Sequence, residues 1–221
     1  MYDTILFDFD GTLTPSLDLW LEAYQYALTY YNINMTDEAI IEKCFFLSYE
    51  KVVLNLGLPP TLESAQQFEQ LIEKGLAQAF TAAKLFPMVA EILESCKEAS
   101  FTLGVVTSSS RSQVTAALHR LGITDYFNTV VSADDVTKHK PHPEPVQLAL
   151  SRLERRAEKT LFVGDSFVDV LAGHASGTHT ALFMPDQHAR FYDFDYLRAT
   201  KPDFIFTHHE ELLAHLKAHS F

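Results

Sequence analysis

The sequence predicts an α/β protein whose doubly wound, Rossmann-like parallel sheet carries an inserted helical domain. Two observations indicate the sheet: short apolar runs recur along the chain and end beside small or acidic residues, and helical patterns separate most of them. A third observation indicates the insertion. One long stretch near the amino terminus contains helical patterns but no convincing strand.

Six segments have the composition of buried strands. The first, residues 4–9, is apolar until it is broken by Asp8, Asp10 and Gly11, which suits a strand that ends at a polar edge. The others are residues 101–106, 129–131, 160–163, 180–183 and 204–206. Helical patterns are present at residues 89–99, 112–121, 145–153, 168–176 and 210–218. This alternation is typical of a parallel sheet that helices cover on both faces.

The inserted stretch has helical patterns at residues 17–31, 37–47 and 62–83. Pro15 and Pro87 stand near its two junctions, where they disfavour a helix that runs across the boundary. We therefore expect a core domain of residues 1–14 and 85–221 and a small helical domain of residues 15–84.

Composition limits the classes of protein to consider. The 221 residues are 47% hydrophobic and carry a formal net charge of −12, which disfavours a general nucleic-acid binder because phosphate contacts need a basic face. Cys44 and Cys96 lack metal-binding spacing, so neither a disulfide framework nor a zinc site is expected. No apolar segment reaches membrane-spanning length or resembles a signal peptide. We expect a cytoplasmic monomer or homodimer without a membrane or nucleic-acid partner.

Chemistry-bearing residues follow the predicted strands. In open parallel sheets, the loops at the carboxyl ends of the strands converge on one crevice. The first such loop is Asp8-Phe9-Asp10-Gly11-Thr12, in which two carboxylates lie two residues apart and Gly11 permits a turn. The second is Val106-Thr107-Ser108, where a hydroxyl and backbone N–H groups are expected to hold an anion.

Two further loops complete the pattern. Lys140-Pro141-His142-Pro143 is stiffened by prolines and presents a lysine charge. The last loop, 164–169, places Asp165 and Asp169 around the start of a helix. Together with Asp8, these carboxylates are the hard oxygen ligands that Mg²⁺ prefers.

Each of these residues also has a purely structural interpretation. Asp10, Asp165 and Thr107 are suited to turns and helix caps, and Lys140 to a solvated surface. Chance, however, gives no reason for four successive strand ends to bring together a nucleophile, an anion cradle, a cation and metal ligands. The combination therefore favours a catalytic site.

In order, the four loops resemble the four motifs of the haloacid dehalogenase superfamily of phosphatases, and the helical insert resembles its small C1 cap. Phe86-Pro87 and the segment 172–177 are similar to the phosphoglycolate phosphatase branch. Residues 134–137, which lead into 140–145, are similar to its pyrophosphatase-type members. Asp10 also separates this chain from the dehalogenating members, which resemble it at the nucleophile but lack a carboxylate two residues later.

The resemblance implies a mechanism and a cofactor. Asp8 is the nucleophile that forms an aspartyl phosphate, and Asp10 is the general acid and base. Thr107, the Ser108 amide and Lys140 bind the phosphoryl oxygens together with Asp8. Mg²⁺ is held by the Asp8 carboxylate, the Asp10 carbonyl and Asp165, with Asp169 acting directly or through water.

The sequence leaves the substrate open. A small phosphomonoester such as phosphoglycolate, or pyrophosphate, is the first expectation. The alternative is a sugar-phosphate mutase of the β-phosphoglucomutase type. Such mutases share an arginine in this part of the cap, whereas this sequence has Tyr49 there. A non-catalytic phosphate-binding module is the third, but Asp8, Asp10, Lys140 and Asp165 are all retained.

Overall fold

A computed structural model describes residues 1–219. The chain divides into two compact units, one made of Met1–Pro15 and Lys84–Phe221 and the other of Ser16–Ala83. The first unit contains the sheet and the second is helical. The fold class predicted from the sequence is thereby confirmed.

Six parallel strands within residues 1–219 form one sheet with the order β3-β2-β1-β4-β5-β6. The strands are β1 Thr4–Phe7, β2 Thr102–Val106, β3 Thr129–Val131, β4 Thr160–Gly164, β5 His179–Phe183 and β6 Phe204–Phe206. The order reverses beside β1, and such a switch point is where open α/β sheets form a crevice.

Strand register brings three of the loops to the same edge of the sheet. Phe7 of β1 pairs with Val105 of β2 on one side and with Val163 of β4 on the other. The next residue, Asp8, continues the ladder by donating its N–H to the Val163 carbonyl at 2.8 Å. The polar segments after these three strands therefore begin at the same height.

Ten helices lie between Leu17 and His219, four in the helical unit and six in the sheet unit. They are α1 Leu17–Tyr30, α2 Asp37–Cys44, α3 Tyr49–Asn55, α4 Leu62–Ala79, α5 Val89–Glu98, α6 Arg111–Arg120, α7 Glu144–Leu153, α8 Phe167–Ser176, α9 Phe194–Ala199 and α10 His209–His219.

The sequence patterns located most helices but not all their ends. The helix expected at residues 37–47 ends at Cys44, because Phe45 is extended and Phe46 has a positive φ of 58°. The helix expected at residues 62–83 continues beyond Ala79 only as the 3₁₀ turn Phe80–Ala82. Helices α3 and α9 have seven and six residues, too few to show a reliable apolar period.

The helical unit has an apolar core of its own. Helices α1 and α4 approach closely at Gly75, where a Cβ atom would lie 2.8 Å from the Cα of Ala23. The Phe68 ring stacks on Tyr31 with centroids 6.1 Å apart. The Tyr24 hydroxyl, also buried, donates to the Cys44 carbonyl at 3.1 Å. Each fully buried large side chain contributes roughly 1.5–3 kcal/mol through the removal of apolar surface from water.

The cysteines and the apolar helices were also considered from composition. Cys44 and Cys96 are both buried and free. Among residues 1–219, no helix has the length and apolar character required to cross a bilayer.

Candidate active site

Asp8 and the turn that follows it form the centre of the site. The turn is closed by hydrogen bonds from Gly11 N–H to the Thr14 carbonyl at 2.9 Å and from Leu13 N–H to the Phe9 carbonyl at 3.0 Å. Gly11 has a φ of 76°, which favours glycine, and a Cβ atom there would collide with the Asp165 carboxylate. The turn and Asp165 are therefore packed against each other.

Lys140 connects three of the strand-end loops. Its ammonium donates to Asp8 Oδ1 at 2.9 Å, to Asp169 Oδ1 at 2.6 Å and to the carbonyl of Val106, the last residue of β2, at 3.2 Å. The Lys140 side chain is 2% exposed. The lysine that the sequence placed in a stiff loop thus lies at the centre of a buried charge cluster.

Asp165 and Asp169 come from the loop after β4 and the first turn of α8. Ser166 forms a capping box with Asp169, in which Asp169 Oδ2 accepts hydrogen bonds from the Ser166 N–H and hydroxyl. Asp165 Oδ2 accepts from the Tyr192 hydroxyl at 2.8 Å, and Oδ1 from the Thr12 hydroxyl at 3.3 Å. These bonds hold the two carboxylates in defined orientations.

The carboxylates of Asp8, Asp165 and Asp169 are buried and offer oxygen atoms that lie within 4.8 Å of one another. Burial, followed by the proximity of Asp169 and Asp10, raises the pKa of Asp8 to about 7 despite the opposing effect of Lys140. Burial and the charges of Asp8 and Asp169 raise the pKa of Asp165 well above its ordinary value.

The same charges act on the lysine. Burial alone would lower the pKa of Lys140, but Asp169 and Asp8 raise it above its ordinary value, so the side chain is ammonium at neutral pH. Three carboxyl groups lie near one ammonium, so the cluster carries an excess of negative charge in a buried place whenever all three are ionised. A cation with oxygen preference fits this donor set, because it would offset the repulsion that raises the carboxylate pKa values.

Asp10 points toward the loop after β2. Its Oδ2 accepts a 2.6 Å hydrogen bond from the Ser109 hydroxyl. Ser109 is in turn held by its N–H, which donates to Thr107 Oγ1 at 3.0 Å, and by its carbonyl, which accepts from Ala133 N–H at 3.0 Å. Thr107 is buried, whereas Ser108 is exposed.

The structure therefore brings Asp8, Lys140, Asp165 and Asp169 into one cluster and links Asp10 to the segment that contains Thr107 and Ser108. Four contributing residues were not identified from the sequence: Thr12, Ser109, Ser166 and Tyr192. Ser166 had a detectable signal, since Ser166 and Asp169 have capping-box spacing. Thr12 and Ser109 lie inside the recognised loops, but nothing in the sequence pattern distinguishes Tyr192.

Comparison with known proteins agrees with this geometry. Residues 5–183 match the model of the haloacid dehalogenase-like hydrolase family. The chain is 30% identical over 211 residues to the pyrophosphatase PpaX of Oceanobacillus iheyensis, covering 91% of each protein. It is 36% identical over 188 residues to the PpaX of Bacillus velezensis, covering 80% of this chain and 81% of that protein.

A solved structure is similar over nearly the whole chain. A haloacid dehalogenase-like hydrolase from Bacteroides fragilis superimposes with a TM-score of 0.84 at 25% identity, covering 96% of this chain and all of that one. Fold, strand-end residues and relatives together define a phosphatase or pyrophosphatase-like hydrolase. The chain belongs to the haloacid dehalogenase-like hydrolase family. Within it, the chain is similar to PpaX pyrophosphatases over nearly its whole length, in agreement with the pyrophosphatase-type likeness of its sequence.

Proposed function

We propose that this protein is a Mg²⁺-dependent phosphohydrolase that cleaves a small phosphomonoester or pyrophosphate through an aspartyl phosphate on Asp8. The observation that carries the proposal is the buried cluster in which the carboxylates of Asp8, Asp165 and Asp169 converge and the Lys140 ammonium binds Asp8 and Asp169. Family membership implies a small phosphorylated substrate.

Asp8 is the nucleophile in this proposal. A carboxylate oxygen of Asp8 forms a bond to phosphorus while the bond between phosphorus and the leaving oxygen breaks. Water then attacks the aspartyl phosphate, which releases inorganic phosphate and restores the Asp8 carboxylate. The hydrogen bond from Lys140 to Asp8 Oδ1 supports this role, since it restricts the orientation of the nucleophile before substrate binds.

Asp10 is the general acid of the first step and the general base of the second. In the first step it donates a proton to the leaving oxygen, and in the second it takes a proton from the attacking water. The Ser109 hydrogen bond to Asp10 Oδ2 supports the assignment, because it restricts the carboxyl to one orientation and leaves it half-buried beside Asp8. Such pre-organisation reduces the cost of reaching the reactive geometry.

The cation site is assigned to the Asp8 and Asp165 carboxylates and the Asp10 carbonyl, with Asp169 acting directly or through water. Asp169 accepts hydrogen bonds on both oxygens, from the Lys140 ammonium and from Ser166, so it links the lysine to the first turn of α8. When bound, Mg²⁺ supplies positive charge that offsets the repulsion between the anionic nucleophile and an anionic substrate.

The phosphoryl oxygens are assigned to Thr107, the Ser108 amide and Lys140. Thr107 follows directly after β2, and the Val106 carbonyl before it binds Lys140, so the two donors lie beside the same strand end. Charge-assisted hydrogen bonds from a lysine and backbone N–H groups suit the charge of a phosphoryl group in transfer.

Substrate class is proposed from the relatives. The named PpaX proteins are pyrophosphatases, and the resemblance to phosphoglycolate phosphatases adds small phosphomonoesters. The compact unit Ser16–Ala83 supports a cap domain of residues 15–84 inserted into a core of residues 1–14 and 85–221. The cytoplasmic location and the monomeric or homodimeric state stay predictions.

The test is phosphate release from pyrophosphate, phosphoglycolate, hexose phosphates and nucleotides, with Mg²⁺ or with excess chelator, for the wild type and Asp8→Asn. We expect turnover of pyrophosphate or a small phosphomonoester that requires Mg²⁺ and is lost in the variant. Formation of a sugar bisphosphate from a hexose phosphate would instead identify a mutase. Absence of release and of phosphoryl exchange from every compound would contradict the catalytic assignment.

A further inference from the structure

The segment after β5, residues 184–192, contacts the proposed cation site at Asp165. Strand β5 lies next to β4 in the sheet, and Asp165 follows the carboxyl end of β4. Residues beyond Phe183, at the carboxyl end of β5, therefore begin at the same edge as Asp165. No residue of this segment has a part in the proposed mechanism.

A turn in this segment orients Tyr192. The His188 N–H donates to the Pro185 carbonyl at 2.8 Å, and the Tyr192 N–H donates to the His188 carbonyl at 3.0 Å. Because Tyr192 is four residues beyond His188 in a helix-like turn, the two side chains lie on the same face. Their rings are 5.8 Å apart.

Both side chains are directed at one oxygen of Asp165. The Tyr192 hydroxyl donates to Asp165 Oδ2 at 2.8 Å, and His188 Nδ1 lies 3.7 Å from the same atom. The His188 side chain is buried among the rings of Phe86 and Phe183, with centroids 6.1 and 5.6 Å away. The His188 ring, packed against these two phenylalanines, is the ring that lies beside Tyr192 and restricts the movement of its side chain.

We propose that Tyr192 is a positioning residue for the cation site, acting through Asp165. Its hydrogen bond holds Oδ2 so that the carboxylate keeps the orientation in which Asp165, Asp8 and Asp169 converge. Without the bond, the carboxylate is held less firmly, by the longer 3.3 Å hydrogen bond from Thr12, and a cation must order it at the expense of affinity. Hydrogen bonds to metal ligands commonly change metal affinity by about 10–100-fold. The inference rests on the proposed function, because it assumes that Asp165 binds the cation.

The experiment is calorimetric titration of the full chain with Mg²⁺ in the absence of substrate. Tyr192→Phe removes the hydroxyl and keeps the ring, and we expect the dissociation constant for Mg²⁺ to rise about tenfold. Tyr196→Phe is the matched control, since Tyr196 is 52% exposed and lies four residues further on. It should leave the dissociation constant unchanged.

A second readout separates positioning from a structural role. For Tyr192→Phe, we expect the Mg²⁺ concentration that half-activates turnover to rise about tenfold, while kcat at saturating Mg²⁺ stays within about twofold of wild type. A side chain that only stabilises the fold would lower the melting temperature in chelator and leave Mg²⁺ affinity unchanged. That result would overturn the inference.

Two further variants keep the test decisive. Tyr192→His shortens the side chain, and we expect the same loss of affinity, so a misfolded Phe variant would not end the test. Asp165→Asn is the reference for the site itself. Mg²⁺ binding that Asp165→Asn does not weaken would contradict the proposed cation site, whereas weakening by Asp165→Asn but not by either Tyr192 variant would contradict only the role of Tyr192.

Discussion

The ammonium of Lys140 lies 2.6 Å from Oδ1 of Asp169, and both side chains are only 2% exposed. The same ammonium contacts Asp8, so one buried cation holds residues from two different strand ends. A charge cluster of this kind is costly to disturb, because removing one partner leaves the others buried without compensation.

Lys140→Met should therefore damage both activity and stability. We expect turnover to fall at least about a hundredfold, since the lysine orients the proposed nucleophile and binds the phosphoryl group, and the free energy of unfolding to fall by about 3 kcal/mol. Steady-state kinetics and urea unfolding measure the two effects. Lys138→Met, in the same loop with an exposed side chain, should leave both unchanged. Equal behaviour of the two variants would contradict the central role of Lys140.

The raised pKa of Asp8 predicts how stability depends on pH without metal. The folded pKa of about 7 lies above the ordinary value of 3.8, so between these values the folded state binds more protons than the unfolded state. The Asp8 contribution to stability should then decrease as pH rises through this window and level off above pH 7. From pH 5 to pH 8 the Asp8 contribution to the loss is about 3 kcal/mol.

Urea unfolding in chelator at pH 5, 6, 7 and 8 checks this prediction. Asp8→Asn lacks the titrating group, so it should lose less stability than wild type over the same range. Parallel curves for the two proteins would show that Asp8 is ionised throughout. Addition of Mg²⁺ to wild type should reduce the loss, because a bound cation favours the ionised carboxylate.

The hydrogen bond from Ser109 to Asp10 predicts a positioning role in proton transfer. Ser109→Ala should lower kcat about tenfold with little change in KM, because a hydrogen bond to a charged group contributes about 1.5–3 kcal/mol and each 1.4 kcal/mol of barrier is a factor of ten. Ser109→Thr keeps the hydroxyl and should restore part of the loss. Ser112→Ala, at an exposed position of α6, is the control. A change in KM alone would exclude this role.

The close packing of Gly11 against Asp165 predicts a specific effect of adding one methyl group. Gly11→Ala should abolish Mg²⁺ binding and turnover, because its Cβ collides with the carboxylate. Gly122→Ala is a matched control: Gly122 also has a positive φ, 69°, but no atom within 4 Å of the added Cβ.

Both glycine variants should lose roughly 1–2 kcal/mol of stability from left-handed backbone strain. Melting temperatures and calorimetric Mg²⁺ titrations of the two variants measure these effects. Full activity in Gly11→Ala would show that Asp165 can move without consequence.

The amino-acid sequence by itself determined the class of fold and the order of the proposed site residues. Apolar runs that end in Asp8, Thr107 or Asp165 were sufficient for this prediction. A strand that is buried on both faces is apolar, and polar residues appear where the chain leaves the sheet. The helical insert was equally clear, since residues 17–31, 37–47 and 62–83 have helical patterns and no segment between them resembles a strand.

Only the tertiary structure decided which side chains support these residues. Ser109 binds Asp10 across 99 positions of sequence, and Tyr192 binds Asp165 across 27. Neither contact follows from local pattern, because each depends on which strands are neighbours in the sheet and on how the turns beyond them direct a hydroxyl. Local propensity specifies where a strand ends, but the packing of separate loops specifies what each strand end touches.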